Sequence, residues 1–431
     1  MYQVRSTIFS LVAAVLVQCL PAGAAAASKE NPEIENYFAE GMAALEEDRL
    51  ATAIEKFRNI LVIDPSLDRA RLELALAYHR TLRYEEAERL AQQVLDDPLT
   101  PPDVRVTVLA FVAQVKRDSE IYGQKNQFTP FVMGGFMRDS NVNVGPTTAD
   151  IRIGDVDQTL TQQSLKQSDN AYVLNTGIDH LYQSGKRVQI GERTGMLLWQ
   201  SGASAYSRQY NHASDYDMVV ASLNTGPAIL MLRHWRASLQ LQTDYMTLGD
   251  KALGWFHSVK PSMTWQQTDS EFTWDANYTR RFYHQDVDKE REGDYVTTGL
   301  SGGRYFDNRR VVLSAGARVI KLFTDDDQYA YKGFQVNAGV STDTYKNGSA
   351  YARAQYGYYD YDGKDSIALK AREEHEYIAT LGLSHEYNEP GDLLKGWTAN
   401  LFWERTENDS NIGQLYSYKR YQGMLSLSRN F

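Results

Sequence analysis

Cysteine is almost missing from this 431-residue chain: one, Cys19, lies in an N-terminal stretch that reads as removable. Structural disulfides and thiolate metal sites are thereby excluded. The eight histidines form no H-E-x-x-H pattern, so no metal is expected. No apolar run of about 18 residues follows Leu20, which excludes a bundle of membrane-spanning helices. Positive charge is short as well, 45 Lys+Arg against 55 Asp+Glu, and without a basic patch nucleic acid is not a partner. No nucleotide-binding motif is present either, so any transport must draw its energy from elsewhere.

What is there begins with a targeting segment. Arg5, an apolar run from Ile8 to Leu20, Pro21 and the small residues before Ser28 predict a secretory signal peptide over residues 1–27, with cleavage near Ala27 and loss of Cys19. Residues 28–122 then change to helical spacing. Ala53 and Ala87 stand 34 residues apart, as do Leu50 and Tyr84, which is the tetratricopeptide period. The packing positions of that pattern are Tyr37, Gly41, Ala53, Phe57 and Pro65 in the first repeat and Ala75, Tyr78 and Ala87 in the second. A third helix is expected over Asp103–Tyr122, with Asp103 near its cap. About two and a half repeats are too few to bury a continuous core unaided, so this periplasmic module should lean on the barrel or a partner.

Residues 123–431 carry period-two alternation broken by turn residues, the pattern of an antiparallel transmembrane β-barrel. Leu401 and Trp403 share one face of a segment while Asn400 and Glu404 share the other, because successive side chains alternate across a strand. About fourteen such segments follow, near 128–137, 171–182, 194–207, 217–230, 234–248, 254–266, 271–283, 294–306, 310–323, 331–342, 349–359, 374–386, 396–405 and 418–431. The links alternate between long polar stretches, the first being an extracellular loop over 138–170, and tight turns such as Asp307-Asn308-Arg309. Short turns belong in the periplasm, so both ends of the barrel should face it. Trp235, Trp255, Trp265, Trp274, Trp397 and Trp403 would furnish the interfacial girdles against outer-membrane lipid.

Signal peptide, helical repeats and barrel in that order resemble the surface lipoprotein assembly modulators, the outer-membrane translocons of type XI secretion. The resemblance is sharpest in FTPFVMGGFMRDSNVN, where the first strand runs into Asp139, Ser140, Asn141, Val142 and Asn143. It implies a 14-stranded barrel and passage of a client protein, lipidated or soluble, from periplasm to surface. From the residue types alone, Asp-Ser-Asn also reads as a strand terminus, since these side chains make local turns readily. The C-terminal Phe431, after an alternating strand, resembles the signal that barrels present to their insertion machinery, although Arg429 interrupts its apolar face.

The inward faces of such a barrel should carry Arg236, Asp244, Lys260, Asp275, Arg281, Arg318, Arg353, Glu376, Glu404 and Arg420. Charges of both signs make a hydrated, unselective lumen. Catalysis finds no support. Gly299-Leu300-Ser301-Gly302-Gly303 fits G-x-S-x-G but falls within a predicted strand with no helix after it, and Ser168-Asp169-Asn170 lacks the partner motifs of the penicillin-recognising enzymes. The carboxylates Asp325, Asp326, Asp327, Asp360, Asp362 and Asp365 read as solvated loop charge. No cofactor is expected. The sequence thus points to an outer-membrane translocon for a secreted or surface-displayed protein, with a periplasmic chaperone as a further partner; the alternative is an exopolysaccharide export porin on a repeat scaffold.

Overall fold

The computed structural model describes residues 31–98, 100–146, 149–153, 156–191, 193–231 and 234–431. The signal-peptide segment and Cys19 lie outside these residues. The chain forms two compact units, residues up to 125 together with 183–197, and residues 126–182 together with 198–431.

The first unit is built on helices α1 (Pro32–Glu46), α2 (Leu50–Ile63), α3 (Asp68–Arg80), α4 (Tyr84–Asp96) and α5 (Pro102–Tyr122). Among the described residues no helix is long and apolar enough to cross a membrane, a fact that says nothing of strands. Asn31 caps α1 by accepting the Glu33 N–H at 3.1 Å. The 34-residue period is written into the backbone: the turns after α1 and α3 both pivot on left-handed residues, Asp48 and Leu82. Ala53 and Ala87 are fully buried, as are Phe57 and Ala75, with Tyr78 nearly so. A Cβ on Gly41 would stand 2.8 Å from the Phe57 ring, so the glycine sets how closely α1 crosses α2. Tyr37 packs at the edge of this core.

Two helix-level expectations are corrected. Pro65 is exposed and not part of the packed core; as its place in the period implies, it follows the end of α2. Asp103 lies inside the first turn of α5, whose cap residue is Pro101.

The second unit is a closed antiparallel barrel. Its strands are β1 (Asn126–Asp139), β4 (Asp169–Ile190), β5 (Arg193–Tyr210), β6 (Met218–Met231), β7 (Trp235–Leu248), β8 (Lys251–Gln266), β9 (Ser270–Tyr283), β10 (Gly293–Phe306), β11 (Val311–Thr324), β12 (Tyr331–Tyr345), β13 (Gly348–Lys364), β14 (Ala371–Glu386), β15 (Thr398–Ser410) and β16 (Tyr418–Asn430). Each strand pairs with its neighbours in sequence, and β1 closes the cylinder against β16. All fourteen segments expected from alternation are strands of this barrel. A two-stranded hairpin, β2 (Asp150–Ile153) and β3 (Val156–Thr159), lies in the first long loop, which spans 140–168 rather than 138–170.

Three boundaries fall well outside the alternating cores. β4 and β5 run on toward each other, and the tip of their hairpin, 183–197, belongs to the helical unit, where the Arg187 guanidinium donates to the Leu82 carbonyl at 2.9 Å. β13 extends to Lys364, which takes Asp360 and Asp362 out of the predicted loop and into a strand, where they pair with Lys332 and Lys321.

Register sorts the two faces. One lattice row reads Trp274, Leu300, Ala317, Val336, Tyr356, Tyr377, and its large side chains are largely exposed. Leu239, Leu241, Leu313, Val319, Leu381, Leu401 and Leu425 extend this apolar skin. So many exposed apolar side chains on one continuous face suit hydrocarbon and not water. Trp199, Trp255, Trp265, Trp274 and Trp403 stand on it too; Trp199 was not among the girdle residues expected.

Candidate functional site

The neighbouring row faces inward. Asp275, Gly299, Arg318, Gln335, Gly357, Glu376, Asn408 and Tyr418 lie side by side across successive strands. A second inward row runs through Arg353, Thr380, Glu404, Gln422, Asp139 and Asp169. The register therefore brings the lumen residues Arg353 and Glu404 onto one line with the first residue of the Asp-Ser-Asn-Val-Asn segment.

These inward charges are tied down. Arg318 donates to Asp275 at 2.6 Å and Thr380 to Glu404 at 3.0 Å. The Tyr359 hydroxyl reaches Glu376 at 3.4 Å, and Ser222 and Gln242 both donate to Asp244. Arg236 stands 3.7 Å from Glu271, Arg281 lies over the Tyr295 ring and Arg353 over Tyr351. Neither sign dominates, so the wall is polar and hydrated without the single-sign ring of an ion filter.

At the seam between β1 and β16 the same wall becomes dense. Asp139 is 0 % exposed. Its carboxylate accepts from Arg420 Nε at 3.0 Å, from the Tyr210 hydroxyl at 2.9 Å, from Gln422 Nε2 at 3.0 Å and from the Asn141 N–H at 3.0 Å. A buried charge is tolerable only when its lone pairs are satisfied in this way. Ser140 joins the same edge: its N–H donates to the Tyr421 carbonyl and its Oγ accepts the Tyr421 N–H at 2.7 Å.

The next residues hold the long loop. Asn141, also 0 % exposed, exchanges hydrogen bonds with both backbone groups of Gly145. Asn143 accepts the Gln167 N–H at 3.0 Å and donates to the Leu165 carbonyl at 2.8 Å. Val142 buries its side chain among Met137, Ala171, Val173 and Tyr210. Ala171 and Val173 alternate with the outward Tyr172 and Leu174, so Val142 sits against the inner wall. Val144 completes the fold-back with a left-handed φ of 52°, a strained conformation for a β-branched residue.

Asp169, opposite Asp139 in the register, accepts the N–H groups of His212 and Ala213 at 2.7 and 2.9 Å and so fixes the loop after β5. Tyr210, Gln422 and Asp169 were not among the site residues expected from sequence. The Asn141 and Asn143 bonds tie the two ends of the first loop, at Gly145 and at Leu165 and Gln167, as well as the strand end.

Two other long loops are latched to each other. Arg372 is stacked between the rings of Tyr361 and Tyr416, at 3.8 and 4.2 Å, Tyr416 belonging to the short helix α6 (Gly413–Tyr416) between β15 and β16. The Tyr416 hydroxyl donates to Asp365, which also accepts from the Ile367 and Ala368 N–H groups. Asp365 is buried and bonded, contrary to the expectation of a solvated loop charge. Burial raises its carboxyl, but the Ala368 N–H, the Tyr416 hydroxyl and the Ile367 N–H outweigh it and leave it below its ordinary value. Burial, then the Asp365 carboxylate, pushes Tyr416 up to about 12.

Phe431 lies at the seam as well: its N–H donates to the Pro130 carbonyl at 2.9 Å and the Arg429 guanidinium lies over its ring. Ser301 sits inside β10, paired with Gly316 of β11 and Thr273 of β9, so no nucleophile elbow forms. Among the described residues no cluster of His, Cys, Asp or Glu is arranged to hold a metal.

A closed fourteen-stranded cylinder with an apolar belt outside and a bonded polar wall inside is an integral β-barrel of the Gram-negative outer membrane. The model of the surface lipoprotein assembly modifiers matches residues 131–431, and the chain belongs to that family. No curated protein matches it. Solved structures that resemble it include OccAB4 of Acinetobacter baumannii, at 9% identity, covering 72% of this chain and 99% of that one with a TM-score of 0.35. OprD from Pseudomonas aeruginosa stands at 10% identity, 72% and 94% coverage and 0.36. The anion-selective porin from Comamonas acidovorans stands at 9%, 71% and 99%, and 0.39.

Proposed function

We propose that the chain is a translocon that carries a cognate protein, a surface lipoprotein or a soluble secreted one, from the periplasm to the cell surface. In this reading the helical unit lies in the periplasm and engages the client or its chaperone, and the barrel is the passage. The barrel insertion machinery is a further partner in this reading. No catalytic step belongs to this role.

Family membership supports the reading, and one structural observation carries it: the inward wall is lined by residues of both charge signs, several of them bonded to neighbours in the wall itself, as Arg318 is to Asp275, Tyr359 to Glu376 and Thr380 to Glu404. Such a surface presents no single charge for a selected ion and little unsatisfied polarity to hold a passing chain. It therefore suits a long, chemically mixed cargo.

The experiment is a deletion strain examined for its surface. The account expects a protein to vanish from the surface while remaining in the periplasm, with polysaccharide unchanged. Lost polysaccharide with intact protein display would assign the barrel to polysaccharide export instead.

A further inference from the structure

The last helix of the repeat stack exposes a face that its two predecessors bury. Stepping back from α5 by the 34-residue period, Val106 corresponds to Leu72 and Phe38, Leu109 to Ala75 and Gly41, Ala110 to Leu76 and Met42, and Ala113 to His79 and Leu45. In α1 that face meets α2: the Phe38 and Phe57 rings lie 5.7 Å apart, and Gly41 abuts the same Phe57 ring. In α3, Ala75, Leu76 and His79 are all buried. In α5, Val106 is 68 % exposed and Leu109 53 %, and Ala110 and Ala113 are exposed beside them. The opposite face of α5, Val108, Phe111, Val112 and Val115, is buried in the shared core.

Among the described residues no second helix directly follows α5. β1 begins at Asn126, directly after α5 ends at Tyr122. An apolar helix face continuous with the stacked interface, at the end of a repeat array where a polar capping face is the usual solution, is a surface built for a partner.

We propose that Val106, Leu109, Ala110 and Ala113 form a docking face for one amphipathic helix of a separate partner polypeptide, which completes the third helix pair. This deepens the reading of the helical unit as the client-engaging module and rests on it. The structure shows what covers the equivalent faces: α2 lies on that of α1, and on α3 His79 meets Tyr84 of α4 as well as Phe111 of α5. α2 presents Leu50, Ala53, Phe57 and Ile60, and α4 presents Tyr84, Ala87, Ala91 and Val94 at the same spacing. The occupant is accordingly a helix with apolar residues at i, i+7 and i+10 and a small residue at i+3. The small residue permits close crossing and the others fill the groove along Val106 and Leu109.

The test uses the full chain in detergent and, as probe, a fluorescent peptide with the α2 sequence LATAIEKFRNILVI, beside a scrambled peptide of the same composition. Saturable binding of one peptide per chain is expected, weakened at least tenfold by Leu109→Asp and by Val106→Asp. Val62→Asp, at an exposed apolar position on α2, should leave binding unchanged. Equal helical circular dichroism of all variants establishes that they fold. Binding no better than the scrambled peptide, or indifferent to both α5 substitutions, overturns the proposal. A chain dimer that Leu109→Asp dissolves overturns it too, since a second copy would then be the occupant, and so does release of residues 1–30 from the face by the same substitution. Peptide binding is read without any transport, so peptide binding that meets these expectations, found together with normal protein display in the deletion strain, would count against the translocon reading and not against this one.

Discussion

Arg420 and Asp139 stand 281 positions apart in the chain, yet the guanidinium of one donates to the buried carboxylate of the other at 3.0 Å. The pair bridges the seam at which the first strand closes against the last, and it does so where the first loop folds back over the inner wall. Removing one partner leaves the other as a desolvated charge. Asp139→Ala should therefore cost about 3–5 kcal/mol, read as a lower midpoint for heat-induced unfolding of the detergent-solubilised barrel. Replacing both, as Asp139→Leu with Arg420→Met, should recover much of that loss. A double variant as unstable as the sum of the two single ones would show that the pair is not coupled.

The two sides of β15 should answer oppositely to the same charge. Leu401→Arg, on the exposed apolar skin, is expected to cost up to roughly 2–4 kcal/mol, whereas Asn400→Arg, on the inner wall, should cost little. Folding titrations of each variant into lipid vesicles measure the difference, and equal costs would contradict the assignment of faces.

Gly41→Val should loosen the helical unit, because the added side chain meets the fully buried Phe57 ring. Overpacking of this kind costs about 1–3 kcal/mol, visible as a lower melting temperature at the helical circular dichroism band. The tryptophan signal of the barrel should not move with it.

The latch between Asp365 and Tyr416 is expected to hold over a defined pH window. Asp365 has a lowered carboxyl, so its contribution is present above the ordinary value of about 3.9 and is lost as pH falls below it. Tyr416 is raised to about 12, so its contribution is present below the ordinary value of about 10 and is lost as pH rises toward 12. Amide exchange at α6 should accelerate on both sides of this window, and Tyr416→Phe should abolish the acceleration at high pH. Exchange that rises steadily with no plateau beyond the intrinsic rate would contradict the latch.

The barrel was legible because lipid outside and water inside impose a period of two on every strand, and the turn residues between Phe272 and Leu401 punctuate it. Where strands leave the membrane that pressure ends, which is why the extensions of β4, β5 and β13 escaped the pattern and why Asp360 and Asp362 read as loop. The helix period survived in Gly41, Ala75 and Ala87 because close crossing demands small side chains. The seam was half legible. Asp139, Asn141 and Asn143 drew notice as a segment, but Tyr210, Gln422 and Arg420 meet Asp139 only after the cylinder closes, and no local spacing announces a contact between β1, β5 and β16. Asp365 was misread for the same reason, since its partner Tyr416 lies two strands away.

The central claim is that a polypeptide passes along the inner wall of this cylinder. Photo-reactive residues placed at the inward Gln335 and at the outward Leu381, in cells where a tightly folded tag stalls the surface protein in transit, test it most directly. The account predicts crosslinks to the stalled protein from position 335 and none from 381; crosslinks from 381 alone would contradict it.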